Sequence, residues 1–100
     1  MNIEVKEQNG GFYAAFSGRL DTPSAVSAQQ DIIPLLEHAD KVITIDCSSL
    51  EYISSSGLRL LLTIRKETAT TGGKAIITNI NEDIRRVFMM TGFYNLFDIR

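Results

Sequence analysis

Two short apolar runs typical of buried strands flank a segment with helical spacing in the middle of the chain. Val42–Ile45 is β-branched and nearly all apolar, which predicts a central strand covered on both faces. Gly57–Lys66 has the spacing of an amphipathic helix, and Lys74–Thr78 is again strand-like. Because a helix between two strands makes a crossover connection, these strands are predicted to run parallel.

The first third of the chain predicts a hairpin followed by a helix. Ile3 and Val5 alternate with charged residues, and the alternation resumes after the turn-forming residues Asn9–Gly11. Asp21–Pro23 combines a capping side chain with a proline, as at a helix start. The apolar positions with helical spacing are Ala25, Ala28, Ile32, Leu35 and Ala39. We expect this helix to bend at Pro34, which lacks a backbone donor.

The second half predicts two more helices and a closing tail. In the second helix, one side carries Leu58, Leu61, Leu62 and Ile64, and the opposite side carries Arg59, Thr63, Lys66 and Glu67. Gly72–Gly73 ends it, and Asn81 caps a third helix that Gly92 stops. Ile84, Val87 and Phe88 share one face of that third helix. The apolar tail Phe93–Ile99 is expected to pack back on the domain.

This order of elements, β-β-α-β-α-β-α, predicts an α/β fold. We expect a four- to five-stranded mixed sheet with three to four packed helices, in a single domain over residues 1–100. A chain of this length buries about 65% of its surface on folding, which is enough for one core.

Composition excludes several functions. Ten basic and twelve acidic residues give a net charge of −2, and the basic residues are scattered, which disfavours nucleic acid and anionic membranes as partners. Cys47 and His38 are the only cysteine and histidine, so no Cys/His metal site is expected, and no motif predicts a cofactor. There is no apolar run long enough to insert in a membrane and no signal-peptide pattern, so we expect a cytoplasmic protein.

Serines cluster at the predicted junction between the central strand and the second helix. Ser48 and Ser49 are expected in a loop, and Ser54–Ser56 directly precede Gly57. These hydroxyls can cap the helix by accepting hydrogen bonds from its first N–H groups, although only one cap is needed. Because a helix N-terminus favours negative charge, the cluster equally fits a bound anion or a covalent phosphate.

The serine cluster lies within a longer pattern, Asp46-x-Ser48 followed by Tyr52–Arg59. This pattern resembles the signature of STAS domains, the anti-sigma factor antagonists. Further similar segments are Gly18–Thr22 before the first helix, Thr71–Gly73 between helix and strand, and Phe88–Phe97 near the end. The resemblance covers nearly the whole chain in the right order.

The resemblance implies a binding protein that phosphorylation switches. The family's modified serine falls on Ser55, with Ser54 and Ser56 as alternatives, and Ser54 stands where the family has an aspartate. The implied partners are an anti-sigma factor with serine kinase activity and a metal-dependent serine phosphatase. The chain would be their substrate and not an enzyme. It would release a sigma factor by binding the anti-sigma factor, and phosphate on Ser55 would break that contact.

The implied docking surface combines the loop before the first helix with the serines and the start of the second helix. Its residues are Arg19, Leu20, Asp21, Thr22, Ser54, Ser55, Ser56, Gly57, Arg59 and Leu60. Leu60 lies at the margin of the apolar side, and we expect it to be exposed as a contact residue. Two alternative functions are an accessory subunit of a phospholipid ABC transporter, and a stressosome-type scaffold.

Four other features have plain structural explanations. His38 fits the end of the first helix, where an imidazolium is favourable, and Cys47 fits a buried, unreactive position. Asp46 could accept hydrogen bonds from the loop that positions Ser55, or cap a loop with no regulatory role. Met89 and Met90, with the aromatic residues after them, are expected to pack on the core.

Overall fold

Five strands form one mixed sheet in the computed structural model, which describes all 100 residues. The strands are β1 Asn2–Gln8, β2 Gly11–Leu20, β3 Val42–Ile53, β4 Lys74–Thr78 and β5 Asp98–Ile99, in the spatial order β1-β2-β3-β4-β5. The helices are α1 Thr22–Asp31, α2 Ile33–Leu36, α3 Ser55–Thr71 and α4 Glu82–Met90, followed by a short 3₁₀ helix at Phe93–Leu96. The α/β fold with a mixed sheet is confirmed.

Strands β1 and β2 form the antiparallel hairpin that the sequence predicts. Asn9 and Gly10 both have positive φ angles, 53° and 78°, the combination that defines a tight hairpin turn. Gln8 pairs with Gly11 directly across this turn. The two-residue turn therefore sets the register of the whole of β1 against β2.

The remaining strands run parallel to their neighbours, as predicted. From β2 to β5, each strand lies next to the one before it, always in the same direction across the sheet. Because connections between parallel strands are right-handed, α1, α3 and α4 lie on one face of the sheet. Ile43 and Ile45 of β3 are fully buried towards that face, whereas Val42 is 47% exposed. Strand β3 is central, but the prediction that both its faces are covered is wrong, because no helix crosses the second face.

Strand β3 is much longer than predicted. Ser48 and Ser49 were expected in a loop, and the structure instead keeps them in the strand, with both side chains exposed. The pairing of β2 with β3 is irregular between Ala15 and Ser17 and again between Gly18 and Arg19. These irregularities let β3 follow β2 to its end, so long-range pairing overrides the turn preference of serine.

The apolar spacing predicts one first helix bent at Pro34, but the structure has two helices, α1 and α2, separated at Ile32. Pro34 lies in the first turn of α2, where N–H groups have no intrahelical acceptor and a proline loses nothing. Pro34 therefore begins a helix instead of bending one. Ile32, Leu35 and Ala39 still reach the core, as predicted.

One apolar core lies between the sheet and the helices. The predicted core residues of α3 and α4 are confirmed there, with Leu58, Leu61, Ile64, Ile84 and Phe88 buried and Leu62 and Val87 half-buried. The tail also packs back as predicted, burying Phe97. Met89 and Met90 do not: they are 59% and 80% exposed, because they lie outside the buried face of α4. No helix is long and apolar enough to span a bilayer.

Candidate functional site

The carboxyl ends of β2 and β3 meet at one edge of the sheet and bring two distant segments together. Leu20 pairs with Ile53, and the Ser54 N–H donates to the Leu20 carbonyl at 2.9 Å. The residues Arg19–Thr22, here named the β2–α1 junction, therefore lie beside Ser54–Ser56, here named the serine segment. Parallel pairing explains this juxtaposition, since both strands end on the same side.

Ser54 is the N-cap of α3. Its backbone is extended, with φ −91° and ψ 173°, and its Oγ accepts a hydrogen bond from the Gly57 N–H at 3.1 Å. The Ser54 carbonyl also accepts the first intrahelical bond, from Leu58 at 2.9 Å. Of the three clustered hydroxyls, the fold uses this one as the cap.

Ser55 and Ser56 differ from Ser54 in what surrounds them. Ser55 is the first residue of α3, its side chain is exposed, and its hydroxyl has no hydrogen-bond partner in the chain. Ser56 is half-buried, and its Oγ accepts a hydrogen bond from Arg59 at 3.2 Å. The first turn of α3 contains no acidic residue, so the positive end of its helix dipole is not offset by a carboxylate of that turn. Ser55 is thus an accessible hydroxyl at the positive end of the α3 dipole.

Gly57 holds the start of α3 close against the sheet. A Cβ at this position would lie 2.8 Å from side-chain carbons of both Ile53 and Leu20. Only a residue without a side chain lets the helix approach the two strand ends this closely. Gly57 is therefore buried and positions the serine segment, with no surface for direct contact with a partner.

Two arginines flank the serine segment. The Arg19 guanidinium lies 4.3 Å from the ring centroid of Tyr52, a cation–π contact that holds it over the end of β3. Arg59 is exposed on α3 and donates to Ser56. The region around Ser55 therefore carries two positive side chains in addition to the positive end of the helix dipole.

The side chain of Asp21 caps the start of α1. Its carboxylate accepts a hydrogen bond from the Ser24 N–H at 3.0 Å, which confirms the predicted cap. Hydrogen bonds from Ser24 hold the pKa of Asp21 below its ordinary value, so the carboxylate is charged at neutral pH. Leu20, beside it in the β2–α1 junction, is fully buried in the core.

The prediction that Leu60 is exposed is wrong: only 4% of its surface is accessible, and it belongs to the core. Helix α3 packs on the sheet with one side and against α1 with the next, so its apolar arc is wider than a single stripe. Leu60 faces α1 and forms the floor of a groove of about 410 Å³ that Val26, Leu36 and Ser56 also line. No sequence pattern predicted this groove, because it depends on how two helices pack.

Asp46 accepts hydrogen bonds from Ser48, in the segment that was predicted to be the loop before Ser55, but it forms none with the serine segment itself. It is buried in mid-strand, where its carboxylate accepts hydrogen bonds from the Tyr13 hydroxyl, from Asn79 Nδ2 at 3.0 Å, and from both N–H and Oγ of Ser48 at 3.1 Å. Burial alone would raise the pKa of Asp46, but these hydrogen bonds outweigh it and the pKa is lowered. Asp46 therefore ties β2, β3 and the end of β4 together.

Cys47 and His38 have structural roles. Cys47 is fully buried, and burial raises the pKa of its thiol to about 12, so it is an unreactive core residue as predicted. His38 follows α2, and its ring stacks on Phe12 with centroids 4.4 Å apart. Neither residue forms a hydrogen bond with the serine segment.

Comparisons with known proteins agree with this architecture. The sequence profile described as STAS domain matches residues 2–100. The chain belongs to the STAS domain family. It is 26% identical over 99 residues to the anti-sigma-B factor antagonist of Bacillus subtilis (strain 168), an alignment that covers 99% of this chain and 90% of that protein.

Two solved proteins show the same fold as this STAS domain. A crystal structure from Thermotoga maritima superposes with a TM-score of 0.86 and 21% identity, covering 97% of this chain and 84% of that one. Bacillus SpoIIAA in its phosphorylated form superposes with a TM-score of 0.73 and 19% identity, covering 99% and 91%.

The serine at position 54 departs from the aspartate that the STAS resemblance implies there. Serine and aspartate are both strong N-caps, and Ser54 makes the expected bond to the third residue of the helix. The departure therefore preserves the cap and removes one negative charge from the start of α3.

Proposed function

We propose that this STAS domain is an anti-sigma factor antagonist whose binding is switched by phosphorylation of Ser55. The observation that carries the proposal is the exposed, unpartnered hydroxyl of Ser55 at a helix start without acidic residues. The names of its relatives support it, since the Bacillus subtilis protein is an anti-sigma-B factor antagonist.

The partner is an anti-sigma factor that is also a serine kinase, and it docks on the accessible residues of the β2–α1 junction, the serine segment and Arg59. Leu20, Gly57 and Leu60, which the resemblance also implied, are buried and support this surface from below. The STAS domain acts as substrate and ligand, not as enzyme. Capture of the anti-sigma factor frees the sigma factor and thereby regulates transcription.

Phosphorylation transfers the γ-phosphoryl group of ATP to Ser55 Oγ, with loss of the hydroxyl proton and release of ADP. The phosphate adds a charge of about −1.5 to −2 and considerable bulk to the docking surface. Within the domain this charge is well placed, because the start of α3 and the arginines beside it are positive. The fold is therefore retained while the partner is repelled, and a metal-dependent phosphatase restores the hydroxyl by hydrolysis.

The proposal is tested by incubating the domain with its cognate serine kinase and ATP, then mapping phosphate by peptide mass spectrometry. We expect one phosphate on Ser55, none in Ser55→Ala, and normal modification in the matched controls Ser54→Ala and Ser56→Ala. Full modification of Ser55→Ala would refute the assignment. Stable co-purification with an ATPase subunit, with no phosphate at all, would instead support the transporter alternative.

A further inference from the structure

The outer edge of β1 is a long strand edge with no partner strand. β1 spans seven residues and lies at one end of the sheet, paired with β2 on its inner side only. The opposite edge strand, β5, has only two residues. An unpaired edge of this length exposes a row of N–H and C=O groups that can pair with another strand.

The turn register determines which main-chain groups of β1 point outwards. In a hairpin closed by two residues, the flanking pair exchanges hydrogen bonds, and here that pair is Gln8 and Gly11. Hydrogen-bonded pairs alternate along the ladder, so the even-numbered residues of β1 bond to β2. The N–H and C=O groups of Ile3, Val5 and Glu7 therefore point away from the sheet.

The charges of β1 select one self-pairing among those that this alternation permits. Two copies related by a two-fold axis pair antiparallel, and an outward-pointing residue must face an outward-pointing residue. A register centred on Glu4 places the two Glu4 side chains opposite each other, and one centred on Lys6 does the same for the two Lys6 side chains. Like charges directly opposite are unfavourable.

Only the register centred on Val5 places Glu4 of each copy opposite Lys6 of the other. It also sets Val5 against Val5, with Ile3 facing Glu7 at both ends. Glu4 and Lys6 are in non-hydrogen-bonded positions in this register, where opposing side chains approach most closely. β1 is therefore self-complementary in both main-chain bonding and charge.

We propose that two copies of this chain associate through β1, antiparallel and centred on Val5, to form a continuous ten-stranded sheet. The surface is separate from the serine segment, which lies at the carboxyl ends of β2 and β3. A single pair of seven-residue strands is a small interface beside the roughly 1,200 Å² of a specific stable complex. The dimer is accordingly weak and dominates only at high protein concentration.

A charge swap measured by sedimentation velocity over a concentration series tests this pairing. Glu4→Lys and Lys6→Glu each create two like-charge pairs, and each should lower the association constant about tenfold or more. The double variant Glu4→Lys/Lys6→Glu restores both pairs in reversed sense and should recover wild-type association. Both side chains are exposed, so the fold tolerates these changes.

Glu67→Lys and Lys66→Glu are the matched controls, because they make the same charge changes at exposed positions of α3 and should leave association unaltered. A wild-type chain that stays monomeric at the highest soluble concentration overturns the proposal. So does a dimer that the single reversals leave intact, or one that the double swap fails to restore.

Disulfide trapping checks the register independently. Cysteines at the centre of the pairing, as in Val5→Cys, would have Cα atoms about 5.5 Å apart, within the range of a disulfide. Glu7→Cys is the control, because two copies of residue 7 would be about 14 Å apart. The natural Cys47 is buried and does not compete. Rapid cross-linking of Val5→Cys alone supports the register, whereas equal or faster cross-linking of Glu7→Cys contradicts it.

Discussion

The N-termini of α3 and α4 are built from the same parts and differ in charge. Both helices follow a strand and a polar cap: Ser54 accepts from the third helical N–H at 3.1 Å, and Asn81 does so at 2.8 Å. The first turn of α4 carries Glu82 and Asp83, whereas the first turn of α3 carries no acidic residue. The positive end of α4 is thus offset within its own helix, and that of α3 remains available to an added negative group.

An arginine at the same position in each helix has a different partner in α3 and in α4. In α4, Arg86 pairs with the carboxylate of Asp83 three residues earlier, at 3.2 Å. In α3, Arg59 reaches the hydroxyl of Ser56, also three residues earlier and also at 3.2 Å. Replacing a carboxylate by a hydroxyl leaves the arginine charge unneutralised. A capped helix start is common to stable folds, whereas one that keeps its positive charge is suited to receive a phosphate.

The largest expected effect is on the free energy of unfolding, and it depends on how deeply side chains of α3 and α4 are buried. Leu60 and Val87 each lie six residues after their caps, and Leu60 is buried between helices whereas Val87 is half-buried. Leu60→Ala should lower the free energy of unfolding by about 2 to 5 kcal/mol, because it leaves a cavity. Val87→Ala should cost clearly less. Urea unfolding of both variants measures the difference, and an equal cost would mean that α3 and α4 are packed alike.

The caps of α3 and α4 should contribute equally to stability, although the charges in the first turns of the two helices differ. Ser54→Ala and Asn81→Ala each leave a first-turn N–H without its acceptor, and each should lower the free energy of unfolding by about 1 kcal/mol. Ser54→Asp keeps an acceptor and should retain that stability. Thermal and urea unfolding test both pairs. A Ser54→Ala variant as stable as the wild type would show that the hydroxyl does not act as a cap.

The smallest effect on stability, and the most informative for function, is a charge at the start of α3. Ser55→Asp should stabilise the fold by about 0.3 to 1 kcal/mol, because a negative group meets an uncompensated helix end. The same variant should weaken binding to the anti-sigma factor, whereas Ser55→Ala should bind as the wild type does. Calorimetry at matched salt compares the two affinities. Equal affinities would contradict control by charge, and aspartate should give only part of the effect of phosphoserine.

Sequence alone predicted the features that depend on residues a few positions apart. The turn at Asn9 and Gly10, the caps Asp21 and Asn81, and the bounds of β4 were all predicted from local patterns and are confirmed. The crossover order then determined which strands are parallel, and thereby that the serine segment lies at a strand end beside a helix start. The cluster of serines itself marked the candidate site.

The tertiary structure decided the features that depend on packing between distant segments. Leu60 lies at the margin of an apolar stripe, and whether such a residue is buried depends on α1, which covers it. Likewise β2 extends β3 through residues that locally favour a loop, and Asp46 accepts hydrogen bonds from the distant residues Tyr13 and Asn79 in addition to the nearby Ser48. For residues other than proline, local preferences are worth about 1 kcal/mol or less, whereas burying a leucine side chain contributes about 1.5 to 3 kcal/mol. Long-range contacts therefore decide wherever the local preference is weak.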